Sequence, residues 1–252
     1  MMPTNPSLHP FPLAAPPFDG NSRAVAAGNG FDWLKQGWAL FVVNPGVWIA
    51  ITIVLLVVML GLMIVPLVGS LAANLLTPLF GAGLLLACRK AADGDRLEIA
   101  DLFAGFKQNT GDLVLVGVLY MAAMLVVLLV VLLLGGGSVV GGLMLGRPAG
   151  VGLALGGMLL ALLLSLALSV PLFMALWFAP ALVVFNNMPP MAALKASFNA
   201  CLKNTLAFLV YSLIVMVLMF FAALPVGLGF LVLIPVLSGS VYASYRDIFV
   251  AN

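Results

Sequence analysis

The fold is decided by a stretch of 53 residues that contains no Asp, Glu, Lys or Arg. It covers residues 36–88 and reads QGWALFVVNPGVWIAITIVLLVVMLGLMIVPLVGSLAANLLTPLFGAGLLLAC. A helix needs about 20 consecutive apolar residues to cross a hydrocarbon core of about 30 Å, so this stretch has room for two crossings and a turn. Pro66 and Gly69 separate Gly46–Val65 from Ser70–Cys88, and this pattern predicts a helical hairpin.

The rest of the chain has the same pattern of charge. Residues 204–245 form a second uncharged run, of 42 residues, and Arg147 is the only charge between residues 113 and 194. Only 18 of the 252 residues are charged, or 7%, whereas soluble domains have roughly 25%. We therefore predict an all-α polytopic membrane protein with about six transmembrane helices, arranged as three hairpins. The four further spans are predicted at Leu113–Leu134, Val151–Phe185, Thr205–Leu224 and Leu228–Tyr245.

The glycine-rich residues 135–157 leave the length of the fourth span open. A straight helix over Val151–Phe185 would be longer than the bilayer is thick, since each residue adds about 1.5 Å. The helix is expected to tilt, to kink at Pro171, or to begin with an interfacial or re-entrant piece. Residues 135–157 are thus a periplasmic loop, a re-entrant segment or a helix extension.

The distribution of Lys and Arg predicts the orientation. Nine of these ten residues lie in the N-terminal tail, the loops at 89–112 and 186–204 and the C-terminus, whereas the opposite connections contain Arg147 alone. Because cytoplasmic loops carry an excess of basic residues, both termini are predicted to be cytoplasmic. Residues 1–30 contain six prolines and no apolar periodicity, and this composition predicts a disordered tail ahead of a six-helix domain at residues 31–252.

A threefold repeat is predicted from residues ahead of the hairpins. With Asn44, Asn109 and Asn204 in register, apolar residues recur 10, 6 and 3 positions upstream, on one face of a helix. The proposed units cover about residues 31–92, 93–187 and 188–250, each a short amphipathic helix on the cytoplasmic face followed by a hairpin. Chance remains an alternative, because any amphipathic helix matches such offsets. The aromatic members of these faces are Trp38, Phe41, Phe103, Phe106 and Phe198.

The amphipathic faces have two interpretations. The simpler one is that each helix lies at the headgroup level and orients the next span. The other is that Trp38, Phe41, Phe103, Phe106 and Phe198 form docking faces for a partner protein or an anionic lipid.

The predicted spans contain few residues that could take part in catalysis or ion transport. No ionisable residue is placed in the middle of a span, and the single histidine, His9, lies in the tail. This weighs against proton-coupled transport, and a protease would lack a general base. Two cysteines, Cys88 and Cys201, cannot supply four zinc ligands. We predict no enzymatic activity, no cofactor and no metal. A polar cleft is possible at Asn74, Thr77, Ser238 and Ser240, although such side chains usually bond to their own backbone or between helices.

Two segments resemble a known family. They are Gly37-Trp38-Ala39-Leu40-Phe41-Val42-Val43-Asn44-Pro45 and Tyr242-Ala243-Ser244-Tyr245-Arg246-Asp247-Ile248-Phe249. They are similar to the opening G-W-x-L-F-x-x-N-P and closing Y-x-S-Y-R-D-I-F-like motifs of an uncharacterised family of proteobacterial inner-membrane proteins, a domain of unknown function. The resemblance covers about residues 31–250. It implies a multi-pass protein of the bacterial inner membrane and brings no catalytic residues or substrate.

Two functions follow as hypotheses. The first is a non-enzymatic scaffold or assembly factor, because repeated amphipathic elements accompany spans without buried charges. The alternative is a carrier or lipid-handling protein for a neutral or amphipathic substrate. The expected partners are the lipid bilayer and another membrane protein or a second copy of the chain. The net charge of +2 is too small to indicate nucleic acid.

Overall fold

The computed structural model describes residues 20–66, 68–145 and 148–250, and every regular element within these ranges is helical. Most of the predicted tail, with His9, and the loop residue Arg147 lie outside them. The α-helices are α1 (Asn29–Val43), α2 (Pro45–Met63), α3 (Val68–Ala92), α4 (Thr110–Val131), α5 (Gly137–Leu145), α6 (Pro148–Trp177), α7 (Ala179–Asn186), α8 (Pro190–Lys203), α9 (Thr205–Ala223) and α10 (Phe230–Tyr245). A 3-10 helix at Ile99–Phe106 precedes α4, and π-helical turns cover Leu132–Gly136 and Arg246–Val250.

Five helical segments of the described chain are long and apolar enough to cross a membrane. They are Pro45–Met63, Val68–Ala92, Thr110–Leu145, Gly150–Asn186 and Thr205–Ala223. The prediction of an all-α chain with several membrane-spanning helices is thereby confirmed. The count of six depends on α10, which has 16 residues and is about 24 Å long.

The centre of the molecule is formed by the second half of α3 together with α7 and α10. Ala87 and Cys88 of α3 and Ala179 and Leu182 of α7 are fully buried, and Ala243 of α10 nearly so. Small residues allow these backbones to lie close together. The helices α2, α4 and α9 instead bury few of their large apolar side chains, and a lipid-facing position makes such exposure inexpensive.

Two short elements pack on this centre through glycine. In α1, Gly37 lies against α10, where a Cβ would overlap the carbonyl oxygen of Val236 and stand 2.7 Å from Ser240 N. In the 3-10 helix, a Cβ on Gly105 would overlap the carbonyl oxygen of Leu79 in α3. Each glycine thus packs directly on the backbone of the next helix, an approach that no larger residue permits.

The third short element, α8, packs on α6 through a hydroxyl group. Ser197 Oγ accepts a hydrogen bond from Phe178 N at 2.9 Å and donates one to Met174 O at 2.7 Å. These two backbone groups are four residues apart and would bond to each other in an unbroken helix. The inserted hydroxyl therefore stabilises the break at Phe178 between α6 and α7, where Pro180 also lacks the N–H that would bond to Leu176 O in a continuous helix. Pro171, where a kink was one expectation, lies inside α6.

The described parts of the glycine-rich residues 135–157 are helical and continue α4 and α6, as the helix-extension alternative expects. Gly142 packs against the backbone of Gly150 and Ala154, and Gly135 packs against Ala161. The segment Thr110–Leu145 contains 36 residues and is therefore about 54 Å long along its axis. This is well beyond a hydrocarbon core of about 30 Å.

One sequence expectation differs from the structure. The short amphipathic helix predicted ahead of the second hairpin, with Ile99, Phe103 and Phe106 on one face, is a 3-10 helix at Ile99–Phe106 in which Leu102 and Gly105 are buried while Ile99 and Phe103 are exposed. Hydrogen bonds also hold residues ahead of α1. Val25 N donates to Asn204 Oδ1 at 2.8 Å, and Asn204 Nδ2 donates to Arg23 O at 3.0 Å. These bonds place Arg23 and Val25 beside the start of α9.

Candidate functional site

The four residues of the predicted polar cleft bond mainly within their own helices. Asn74 and Thr77 are exposed on α3 and donate to carbonyl oxygens four residues earlier, and Ser238 does the same in α10. Ser240 is fully buried, and its Oγ lies 2.7 Å from the hydroxyl of Tyr211 in α9. The hydrogen bonds of these residues therefore fasten α10 to α9 and do not join the four side chains into one network.

The predicted docking residues occupy different environments. Trp38 is 52% exposed, whereas Phe41, whose ring centroid is 5.5 Å away, is buried. Phe103 and Phe106 pack edge-on against Phe80 of α3. Phe198 is half-buried. Trp38 and Phe103 thus remain accessible, while Phe41 belongs to the core.

A groove lies between the second half of α6 and the whole of α9. Its cavity volume is about 710 Å³, and its lining is almost entirely apolar. The walls consist of α6 residues from Val170 to Trp177 and of α8 and α9 residues from Cys201 to Met219. Because Phe173, Leu209 and Met216 are each more than half exposed, the groove opens sideways on the apolar surface of the molecule.

The groove exists because α9 packs on one side only. On that side α9 lies directly against α1, where a Cβ on Gly30 would stand 2.5 Å from Ala207 O. On the other side, large side chains keep α6 and α9 apart. The rings of Phe208 and Tyr211 stand nearly perpendicular to the indole of Trp177, with centroids 5.8 Å away in both cases.

Trp177 is the most unusual residue of the groove. Its indole Nε1 is buried and has no hydrogen-bond partner among the described residues. The corresponding atoms of Trp33 and Trp48 donate to Asp247 Oδ2 at 2.8 Å and to Leu40 O at 3.1 Å. An indole N–H can only donate, and leaving it buried and unpaired costs about 1–3 kcal/mol. This wall of the groove therefore contains a donor that lacks an acceptor.

The other polar groups of the groove are already satisfied. Thr205 and Ser212 donate to carbonyl oxygens of Leu202 and Leu209. Cys201 lies near Met174 O, and burial raises the pKa of its thiol to about 12, partly offset by a hydrogen bond with Ser197. The thiol is therefore protonated at neutral pH and a poor nucleophile. No group of three His, Cys, Asp or Glu residues suited to a metal ion occurs in the described chain.

Sequence reasoning missed this groove. Its residues read as ordinary apolar helix, and the spacing of Phe208, Tyr211 and Val215 indicates one face of α9 without indicating what that face meets. The tryptophan at residue 177, near the end of an apolar run, was the available signal of a binding site. Whether its indole N–H finds an acceptor depends on how α6 and α9 pack in three dimensions, which the sequence does not show.

The chain was compared with known proteins. It is 33% identical over 226 residues to the probable inner membrane protein BTH_II0599 of Burkholderia thailandensis, an alignment that covers 87% of this chain and 82% of the relative. No family model matches the chain, and no solved structure matches it. The identity and coverage, together with the apolar helices, show that the chain is an inner-membrane protein belonging to the family of this Burkholderia protein.

Proposed function

We propose that this inner-membrane protein binds one chain of a lipid-like amphiphile in the groove between α6 and α9. The observation that carries the proposal is the buried, unpaired Nε1 of Trp177 in the wall of an apolar cleft of about 710 Å³. Sites for small molecules are typically about 300–1,000 Å³, mostly apolar, with a few polar groups that fix orientation.

The dimensions of the groove suit an acyl chain. Thr205 and Met219 lie 14 residues apart on α9, so the groove extends about 21 Å along the helix axis. One leaflet of hydrocarbon is about 15 Å thick, half of the bilayer core. Three methionines, Met174, Met216 and Met219, line the groove and supply flexible side chains that adapt to a chain of variable shape.

An ester carbonyl is the acceptor that matches the Trp177 donor, and its binding requires the indole to turn Nε1, which is buried in the structure, toward the groove. Ester groups of phospholipids lie at the boundary between hydrocarbon and headgroups, where tryptophan is enriched. Trp177 lies one residue before the break between α6 and α7, close to α8 and the start of α9. A bound amphiphile would place its carbonyl at this end and its chain toward Met219.

The proposal includes a topology and a mode of action. The chain crosses the membrane six times, as three hairpins preceded by short cytoplasmic-face elements, with both termini in the cytoplasm; α10, extended by the turns around it, is the sixth crossing. The proposed role is binding without a chemical step: Thr205 and Ser212 donate to backbone carbonyl oxygens, and no Asp, Glu, His or Lys is among the described residues that line the groove.

Native mass spectrometry of the purified protein with phosphatidylglycerol and phosphatidylethanolamine tests the proposal. Ser212→Trp fills the groove, whereas Leu213→Trp places the same ring on the neighbouring, lipid-facing position of α9. We expect one tightly retained lipid per chain in the wild type and in Leu213→Trp, and an occupancy at least tenfold lower in Ser212→Trp. Equal occupancy in all three proteins would remove the proposal.

A scaffold role is the second candidate, favoured by the long hairpin of α4, α5 and α6. Beyond the thickness of the bilayer this hairpin still exposes Leu143 and Met144, which are 71% and 82% accessible. A photoreactive residue at Met144 is expected to crosslink to one discrete protein partner, or to a second copy, in intact membranes. Adducts with lipid alone would exclude this role for the hairpin.

A further inference from the structure

We propose that the cytoplasmic end of the central helices binds a phosphate-type anion between Arg89 and Arg246. This site goes beyond the proposed lipid groove, since the two are lined by different residues. Arg89 lies near the end of α3, and Arg246 follows the last residue of α10. Each arginine comes eleven residues after the proline inside its helix.

A small cavity joins the two arginines. It has a volume of about 180 Å³ and is lined by Arg89, Phe185, Tyr242, Tyr245, Arg246 and Val250. Phe185 belongs to α7, so all three central helices contribute to the cavity. This volume suits a headgroup or a small ion and is too small for a chain.

Neither arginine has a carboxylate within ion-pair distance in the described part of the chain, although their neighbours do. Lys90 Nζ lies 2.9 Å from Asp101 Oδ1, and Asp247 pairs with Arg23. Asp247, next to Arg246, is thus occupied by another basic residue, whereas Asp93, four residues after Arg89, forms no ion pair in the described chain and is the carboxylate whose charge acts on Tyr242 of the cavity. Two positive charges at one cavity repel each other, and an anion between them removes that repulsion.

Aromatic rings hold both guanidinium groups at the cavity. Arg89 Cζ lies 5.1 Å from the centroid of the Phe185 ring, and Arg246 Cζ lies 6.0 Å from that of Tyr242. Stacking of this kind fixes the plane of a guanidinium while its N–H groups remain free. Tyr245 donates to Asn186 Oδ1 at 2.6 Å and so keeps α7 and α10 together below the cavity.

A phosphate group matches this arrangement better than a carboxylate does. Guanidinium groups bind phosphate through two parallel N–H···O bonds, and the tetrahedral oxygens of one phosphate can serve two guanidinium groups at once. The phosphate could belong to a soluble cytoplasmic compound or to the headgroup of an anionic lipid. Both sources share the same chemistry.

The experiment uses the full-length protein in nanodiscs of phosphatidylcholine. The variants are Arg89→Gln and Arg246→Gln, with Lys195→Gln as a control that removes one charge from an exposed position of α8. Thermal unfolding is followed during titration with inorganic phosphate at constant ionic strength. It is then repeated in nanodiscs that contain phosphatidylglycerol. Circular dichroism of each variant before titration shows that the fold is retained. Arg246→Lys is a further variant that keeps the positive charge but removes the bidentate N–H donors of the guanidinium group.

A saturable rise in Tm with inorganic phosphate in the wild type and Lys195→Gln, at least tenfold weaker in both arginine variants, would support a site for a soluble phosphate. A rise only with phosphatidylglycerol, again lost in the arginine variants, would assign the site to a lipid headgroup. Either result supports the proposal, and Arg246→Lys should then respond less than the wild type. Equal responses in the wild type and all variants, or no response to either probe, would overturn it.

Discussion

Two neighbours of α9, the helices α1 and α6, approach it in opposite ways. On one side, α1 approaches so closely that glycines replace side chains, at Gly30 against α9 and at Gly37 against α10. On the other side, α6 stands apart from α9 and leaves an apolar groove of about 710 Å³. The same helix thus has one interface closed by backbone contact and another left open with an unpaired indole donor.

The close-packed side of α9 is expected to contribute mainly to stability, and the open side mainly to lipid binding. A close-packed interface loses stability with any added atom, because the interior cannot move aside. A groove bordered by exposed side chains tolerates substitution but changes what it can bind. Substitutions on the closed side should therefore change the unfolding of the protein, and substitutions on the open side should change its response to lipid.

The largest effect is expected for Gly37→Ala. The added methyl group would overlap the carbonyl oxygen of Val236, and we expect a loss of about 3 kcal/mol or more, by analogy with overpacked cores. Gly61→Ala in α2 is the control, because a Cβ there meets nothing within 4 Å and alanine favours helix by up to about 1 kcal/mol. Thermal unfolding in detergent measures both. Equal stability of the two variants would mean that α1 and α10 are not in backbone contact.

Ser197→Ala should have the next largest effect. It removes the hydroxyl that bonds to Phe178 N and Met174 O, and unpaired buried backbone groups cost about 1–3 kcal/mol. Ser238→Ala is the control, since that hydroxyl only bonds back to Ile234 O in its own helix. If the two variants lose the same stability, the break between α6 and α7 has another cause.

Acid should weaken the hydrogen bonds by which Asp247, near the end of the described chain, holds Arg23, Asn29 and Trp33. Burial alone would raise the pKa of Asp247, but hydrogen bonds from Asn29, Trp33 and Arg23, with the charge of Arg23, hold it below its ordinary value. The stability that this carboxylate contributes is therefore present above about pH 3.9 and is lost as the pH falls through the lowered pKa. We expect Asp247→Asn to be less stable at pH 7 by about 1–2 kcal/mol.

The measurement for Asp247 is a series of unfolding curves from pH 6 to pH 3. The wild type should lose Tm more steeply below pH 4 than Asp247→Asn. Asp32→Asn is the control, because Asp32 is an exposed partner of Lys35. Parallel curves for the wild type and Asp247→Asn would contradict the assignment.

The smallest effects on stability should come from a matched pair of tryptophans. Trp33→Phe loses a hydrogen bond to Asp247 and should cost about 1 kcal/mol, whereas Trp177→Phe removes a buried donor that has no partner. In lipid-free detergent, Trp177→Phe should therefore be as stable as the wild type or more stable. Added phospholipid should stabilise it less than it stabilises the wild type. A clear loss of stability in lipid-free detergent would show that Nε1 is already bonded.

The sequence predicted the elements that depend on local pattern. Uncharged apolar runs predicted the membrane helices, and Pro66 marked the connection after α2, whereas Gly69 lies in the first turn of α3. The three units and the orientation of the termini remain predictions. The element at Ile99–Phe106 was assigned the wrong helical period, because its tight approach to α3 through Gly105 is a tertiary contact.

The candidate site was beyond such reasoning for the same physical reason. The sequence offers Pro171 and Pro180 as local signals for a break; Pro171 is accommodated inside α6, and only at Pro180 does Ser197 of another helix bond to the backbone groups of the break. The predicted polar cleft relied on Asn74 and Ser238, whose hydrogen bonds are satisfied within their own helices. The groove between α6 and α9 is instead marked by Trp177, whose Nε1 has no hydrogen-bond partner among the described residues. A missing hydrogen bond between distant residues cannot be predicted from the spacing of residues along the chain.

Photolabelling with a phospholipid that carries a diazirine on one acyl chain tests the central claim most directly. After irradiation in nanodiscs, the labelled peptides are mapped by mass spectrometry, with and without an excess of unlabelled lipid. We expect saturable labelling of groove residues such as Met174, Met216 and Met219, reduced by excess lipid and lost in Ser212→Trp. Labelling spread evenly over the exposed faces of α2, α4 and α9, and unaffected by competing lipid, would contradict it.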